Sequence, residues 1–110
     1  MPKPVFIKKG QEEFQRLKDG KLFRMLLKSN RMEAVIAEID PGTISEFYRH
    51  EGEEVHIVLE GKIVYEVGDK KFEMEPGDVL WHPSDVPHRA VNTGTTKAVY
   101  LTVGTPPTFM

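Results

Sequence analysis

From Lys21 to Val103 the chain is cut into short apolar or alternating runs by clusters of turn-forming residues. The runs are Lys21–Lys28, Met32–Ile39, Glu53–Leu59, Lys62–Val67, Lys71–Met74, Val79–His82, Arg89–Val91 and Lys97–Val103. Brief runs at this spacing predict an all-β sandwich or barrel. The breaks have physical causes at Asp40-Pro41-Gly42, Gly68-Asp69, Glu75-Pro76-Gly77-Asp78 and Asn92-Thr93-Gly94. There proline fixes φ, glycine reaches positive φ, and Asp or Asn side chains bond the nearby backbone. Some runs, such as Val55-His56-Ile57-Val58-Leu59, are apolar on both faces, which suits strands sandwiched in a core or lining a narrow barrel.

Upstream, Gly10 to Asp19 is the one segment with helical spacing, since Phe14 and Leu17 lie three apart among polar residues before Gly20. It predicts at most one short N-terminal helix, packed on the outside. A chain of 110 residues predicts a single domain over residues 1–110, with the core spanning about 32–104. Pro106-Pro107 cannot continue a ladder, so the tail is expected on the surface.

Charge and composition remove several classes of function. Fifteen basic residues against seventeen acidic ones, a net charge of −2 and no basic stripe argue against nucleic acid as a partner. The apolar stretches fall far short of the roughly 20 residues that span a bilayer, so no membrane partner is expected. Met1-Pro2-Lys3-Pro4 leads into no signal-peptide core, and a cytoplasmic location is expected. With no cysteine, any metal site must use nitrogen and oxygen ligands.

Those ligands are concentrated in two stretches that contain His50, Glu54, His56 and His88. Tyr48, His50, Glu54 and His56 all carry even numbers and tend to share one face of an extended chain, with Gly52 able to bend it. Glu60-Gly61 reads as a hairpin turn that would set Val58 opposite Ile63, His56 opposite Tyr65 and Glu54 opposite Val67. Burying His50 and Glu54 against such a wall is costly unless they are paired or ligate a cation. Two imidazoles and a carboxylate suit iron or manganese, and also zinc, nickel or copper.

The same residues carry a family pattern. Gly42, His50, Glu54 and Gly61 match the first cupin motif, G-(x)5-H-x-H-(x)3-4-E-(x)6-G, with Tyr48 in the place of its first histidine. Gly77, Pro83, His88 and Asn92 match the second, G-(x)5-P-x-G-(x)2-H-(x)3-N, with Asp85 in the place of its middle glycine. The chain therefore resembles the cupins, and in particular the ligand-sensing cupin domain that follows a helix-turn-helix in bacterial regulators, although no DNA-binding helix pair is read upstream. The resemblance implies a double-stranded β-helix, or jelly-roll, barrel. It implies a divalent metal ion (Fe, Mn, Ni, Cu or Zn) held by His50, Glu54 and His88, with Tyr48 as a further ligand, a proton donor or a space-filling aromatic. A hydrogen-bonded polar cluster without metal is the other reading of these groups.

Two functions are compatible with such a site. One is a metal-dependent enzyme, of dioxygenase, isomerase or lyase type, acting on a small polar molecule, with Tyr48 and His56 as candidate proton donor and acceptor. The other is a non-catalytic domain that binds or senses a small molecule. His56, Tyr65 and Trp81 are expected to line the pocket, and His82, which alternates with Trp81, is expected on the surface. Asn92 fits the motif and is equally explained by turn chemistry. Exposed sheet edges and the apolar run Met32–Ile39 predict a homodimer.

Overall fold

The computed structural model describes residues 3–12, 15–18 and 20–108. Nine strands follow in chain order: β1 (Arg16–Lys18), β2 (Lys21–Lys28), β3 (Glu33–Ile39), β4 (Glu53–Glu60), β5 (Ile63–Val67), β6 (Lys70–Met74), β7 (Val79–Pro83), β8 (His88–Val91) and β9 (Ala98–Thr105). Every run predicted from Lys21 onward is a strand, with ends displaced by a residue or two. No helix occurs among the described residues. The expected helix over Gly10–Asp19 is replaced where it can be followed: Arg16–Lys18 pairs antiparallel with the start of β2 as a sheet edge. Pairing with a ready strand satisfies the backbone at once, whereas a two-residue apolar stripe buries too little to hold an isolated helix. Glu13, Phe14 and Asp19 of that segment lie outside the described residues.

The strands form two antiparallel sheets, one in the order β1-β2-β3-β9-β4-β7 and one in the order β6-β5-β8. They close on a shared core that includes Phe23, Val35, Ile39, Val58, Ile63 and Tyr100, which makes a jelly-roll-like barrel. β4 and β5 do not form the expected hairpin. β4 pairs with β7 and β9, β5 with β6 and β8, and the chain passes from one sheet to the other at Gly61. There φ is +72°, and an added Cβ would stand 2.7 Å from the Lys97 carbonyl oxygen, so the crossing is tight enough to need glycine. The faces nevertheless follow the alternation: Val58, His56, Ile63 and Tyr65 all point into the barrel.

The long connection before β4 lies along the free side of β8. Tyr48 and His88 exchange backbone hydrogen bonds of 2.8 and 2.9 Å, and Ser45 N–H donates to the Ala90 carbonyl at 3.2 Å. This seam brings the segment that carries His50 beside the strand that carries His88. Asn92, fully buried, donates to the carbonyls of Ile39 and Thr96, both at 2.9 Å, and accepts from Gly94 N–H at 3.0 Å. β3, the apolar run from which a homodimer by edge pairing or sheet packing is expected, lies between β2 and β9 and offers no edge; the edges of the large sheet are β1 and β7.

Candidate metal centre

β4 supplies the centre of the site. Glu54 and His56 occupy its inward face and are almost wholly buried, while Val55 and Ile57 face outward and half-buried. His50 stands just before β4, brought round by Gly52, whose φ is +106° and whose missing Cβ makes room for the Thr105 carbonyl. Gly52 and its neighbours are clamped to the next segment, His50 N–H donating to the Ser84 carbonyl at 3.0 Å and Ser84 N–H to the Gly52 carbonyl at 2.8 Å. His88 opens β8 across the barrel. Glu54 Oε1 therefore meets His88 Nε2 at 3.0 Å and His50 Nε2 at 3.2 Å, and accepts a hydrogen bond from Ser84 Oγ at 3.0 Å.

The far side of each imidazole decides what faces Glu54. His88 Nδ1 lies 2.8 Å from the Val86 carbonyl, which can only accept, so Nδ1 holds a proton and in the neutral ring Nε2 presents its lone pair. Thr108 gives its hydroxyl proton to the Glu51 carbonyl at 2.9 Å and so accepts from His50 Nδ1 at 3.0 Å, leaving His50 Nε2 bare as well. Two lone pairs and a carboxylate oxygen thus converge, and they repel one another unless a cation or shared protons stand between them. Nitrogen and oxygen donors oriented by outer hydrogen bonds are what a divalent ion requires. His50, Glu54 and His88 offer ligand atoms within 4.8 Å of one another and could hold a metal.

A second group, Glu54, His56 and His82, meets the same spacing. Its hydrogen bonds close without a cation. His82 Nδ1 donates to the Pro83 carbonyl at 2.9 Å, His56 Nε2 donates to His82 Nε2 at 2.9 Å, and the Thr102 hydroxyl donates to His56 Nδ1 at 2.7 Å. His56 Nε2 is also 3.3 Å from Glu54 Oε2, so one N–H leans on both acceptors. Burial holds His56 neutral, its pKa pushed down to about 3, and lowers that of His82. Burial works against ionising Glu54; with no cation between the groups, a proton on His88 Nε2 hydrogen-bonds the carboxylate, and this bond together with the neighbouring imidazoles outweighs burial and holds the Glu54 pKa down to about 2.

The predicted site residues divide as follows. His50, Glu54 and His88 are brought together. Tyr48 lines the same cavity of about 180 Å³ as a half-buried side chain, and His56 and Tyr65 line its inner end with their rings stacked 4.1 Å apart. Trp81 does not line it. It stands 56 % exposed on the outer face of β7 and donates to Glu53 at 3.0 Å, whereas His82, expected on the surface, is 2 % exposed and faces Glu54. The cause is register: β7 pairs with β4 so that Glu54 lies opposite His82 and Val55 opposite Trp81. Ser84, Thr102 and Thr108 were missed altogether, because their hydroxyls acquire meaning only through partners distant in sequence.

Comparison with known proteins agrees with the fold. A model of the Cupin domain family matches residues 35–104. An uncharacterized protein of Methanocaldococcus jannaschii is 31% identical over 96 residues, 82% of this chain and 77% of that protein. The HTH-type transcriptional regulator PuuR of Escherichia coli is 34% identical over 82 residues, 73% of this chain and 44% of the regulator. Among solved structures, KdgF from Halomonas sp. superposes with a TM-score of 0.85 at 19% identity over 97% of both chains. A predicted oxalate decarboxylase from Thermotoga maritima superposes with a TM-score of 0.68 at 26% identity, over 77% of this chain and 79% of that one.

Proposed function

Because the chain belongs to the cupin family, we propose that it is a metal-dependent enzyme acting on a small polar molecule, with His50, Glu54 and His88 holding a divalent ion. One observation carries the reading: three donor atoms converge at 3.0 and 3.2 Å, with both imidazoles turned by outer hydrogen bonds at Nδ1 so that their Nε2 atoms, lone-pair donors in the neutral rings, face the carboxylate. When bound, the ion would supply Lewis acidity or a redox couple, and three protein donors leave coordination positions for a ligand. The protein groups divide the remaining work. Ser84 and His56 fix the two oxygens of Glu54, the first by a hydrogen bond to Oε1 and the second from beside Oε2.

Of the two candidate proton carriers, His56 is engaged at both ring nitrogens and serves to position Glu54. Tyr48 lines the cavity, so its phenol is the group that would exchange a proton with a ligand. Metal content by elemental analysis of protein purified without a histidine tag tests the reading. Iron, manganese, nickel, copper or zinc near one equivalent, absent from the His50→Ala, His88→Ala double variant, is the expected result. Failure to take up any of these ions after incubation with each ends it.

A second reading, a non-catalytic domain that binds or senses a small molecule, is supported by the 34% identity to the regulator PuuR. The two part on turnover. Metal-loaded protein that consumes dioxygen or converts one of a panel of oxo-acids, sugars and amino acids is an enzyme, and binding without conversion favours the sensor.

A further inference from the structure

Two phenols line the cavity beside the candidate metal centre and keep their hydroxyls unspent. Tyr65 and Tyr100 are 4% and 2% exposed, and their rings stand edge to face with centroids 6.4 Å apart. The rings are well packed, Tyr65 against His56, His82 and His88 and Tyr100 against His56, yet among the described residues neither hydroxyl makes a hydrogen bond. Neither oxygen is sealed from solvent, and the cavity is the open space that both side chains reach. Drawing a hydroxyl out of bulk water without a partner costs free energy, and phenylalanine would avoid that cost at either position. Neighbouring donors are already committed: the Thr102 hydroxyl donates to His56 Nδ1, and the His56 N–H leans on His82 and Glu54. Phe23 and Val35, which also line the cavity, bring no polar side-chain atom. Burial raises the pKa of both phenols above the usual range and the charge of Glu54 raises it further, so both remain O–H donors at neutral pH.

We propose that Tyr65 and Tyr100 receive a carbonyl oxygen of a small ligand, their phenol O–H groups donating to it at the inner end of the cavity. The inference rests on the metal-centre reading for the other end of the ligand, where a carboxylate would reach the ion. An apolar group of the same shape would leave both hydroxyls unpaired in a confined space, so the site discriminates by the presence of the oxygen rather than by size. The two tyrosines hold the ligand and keep their protons. The cavity, at about 180 Å³, is below the usual range for drug-sized ligands, which limits the molecule to a few carbons.

Levulinate, a carboxylate with a ketone oxygen at its far end, and 4-methylenepentanoate, in which a methylene group replaces that oxygen, are the probes. They are titrated by calorimetry into metal-loaded protein whose metal content is measured for each sample. Levulinate should bind at least about 10-fold more tightly than 4-methylenepentanoate, and the Tyr65→Phe, Tyr100→Phe double variant should lose that preference with metal content unchanged. Without ligand, each single Phe variant should melt at or above the temperature of the parent, because no hydrogen bond within the fold is removed. A variant that melts more than about 4 °C lower would show that its hydroxyl serves the fold, and it overturns the proposal. So does equal binding of the two probes, which would mean that water alone serves the phenols, or a double variant that keeps the parent's preference. If no metal is taken up, the metal reading fails by itself. The same pair on metal-free protein then decides the preference as a ratio, since the carboxylate is common to both probes, and no binding of levulinate to either form overturns it.

Discussion

The two oxygens of Glu54 face four partners. Oε1 faces His50, His88 and Ser84, and Oε2 faces His56. Ser84→Ala removes a hydrogen bond that orients the carboxylate without removing a ligand, so metal affinity should fall roughly 10- to 100-fold with the fold intact. A competition titration with a chelator of known affinity checks this, and an unchanged affinity would exclude Ser84 as an orienting group. The same residues set the acid response. Unfolded histidines protonate near 6.5, but buried His56 resists to about 3, so below pH 6.5 the unfolded chain takes up more protons and stability falls. Glu54 adds to the loss below about 4.5, since its folded pKa near 2 makes its contribution present above 4.5 and lost as pH falls. Metal-free protein should lose on the order of 3 kcal/mol between pH 7 and pH 4, seen as falling urea midpoints. A flat midpoint across that range would contradict the buried neutral state of His56.

At the scale of elements, the site is a product of one strand and two contacts. β4 carries Glu54 and His56, β7 and the residue after it return His82 and Ser84 to them, and the segment before β4 runs along β8 to set His50 near His88. Gly52 is where the first and last of these meet, packed against the end of β9. Gly52→Ala places a Cβ against the Thr105 carbonyl at a positive φ, and should destabilise the protein by roughly 2–4 kcal/mol. Thermal unfolding measures it. A variant as stable as the parent would mean that this junction yields without cost. The alternation of residues along β4 was legible in sequence because a strand has a period of two. Which neighbour β4 took was not: Glu60-Gly61 looks like a hairpin turn locally, and only the closing of two sheets over one core turns it into a crossing. His82 and Trp81 exchanged places for the same reason, since the register between β7 and β4 belongs to neither strand alone.

At the scale of the whole molecule, none of the described helices, there being none, is long and apolar enough to cross a membrane. The edge strand β7 presents Val79 and Trp81 outward, 62% and 56% exposed, and Leu17 of the opposite edge is 75% exposed. Apolar side chains on strand edges favour pairing with another chain, and we expect a homodimer formed at such an edge. Light scattering at high protein concentration should return twice the 12.6 kDa chain mass, and a monomer would end that expectation.

The sequence by itself determined the all-β class, the strands from Lys21 onward, and the spacing of His50, Glu54 and His88 that the family pattern recognises. Each of these rests on local chemistry: turn residues interrupt the chain, side chains alternate along a strand, and ligand types are countable. Tertiary structure alone decided that Arg16–Lys18 is an edge strand, that His82 rather than Trp81 faces Glu54, and that Thr102, Thr108 and Ser84 orient the imidazoles and the carboxylate. It also gathered Lys18, Lys21 and Arg49 on one cavity. The reason is the same in every case: a hydrogen bond or a cluster of charge depends on distance in space, and residues far apart in the chain become neighbours only when the two sheets close.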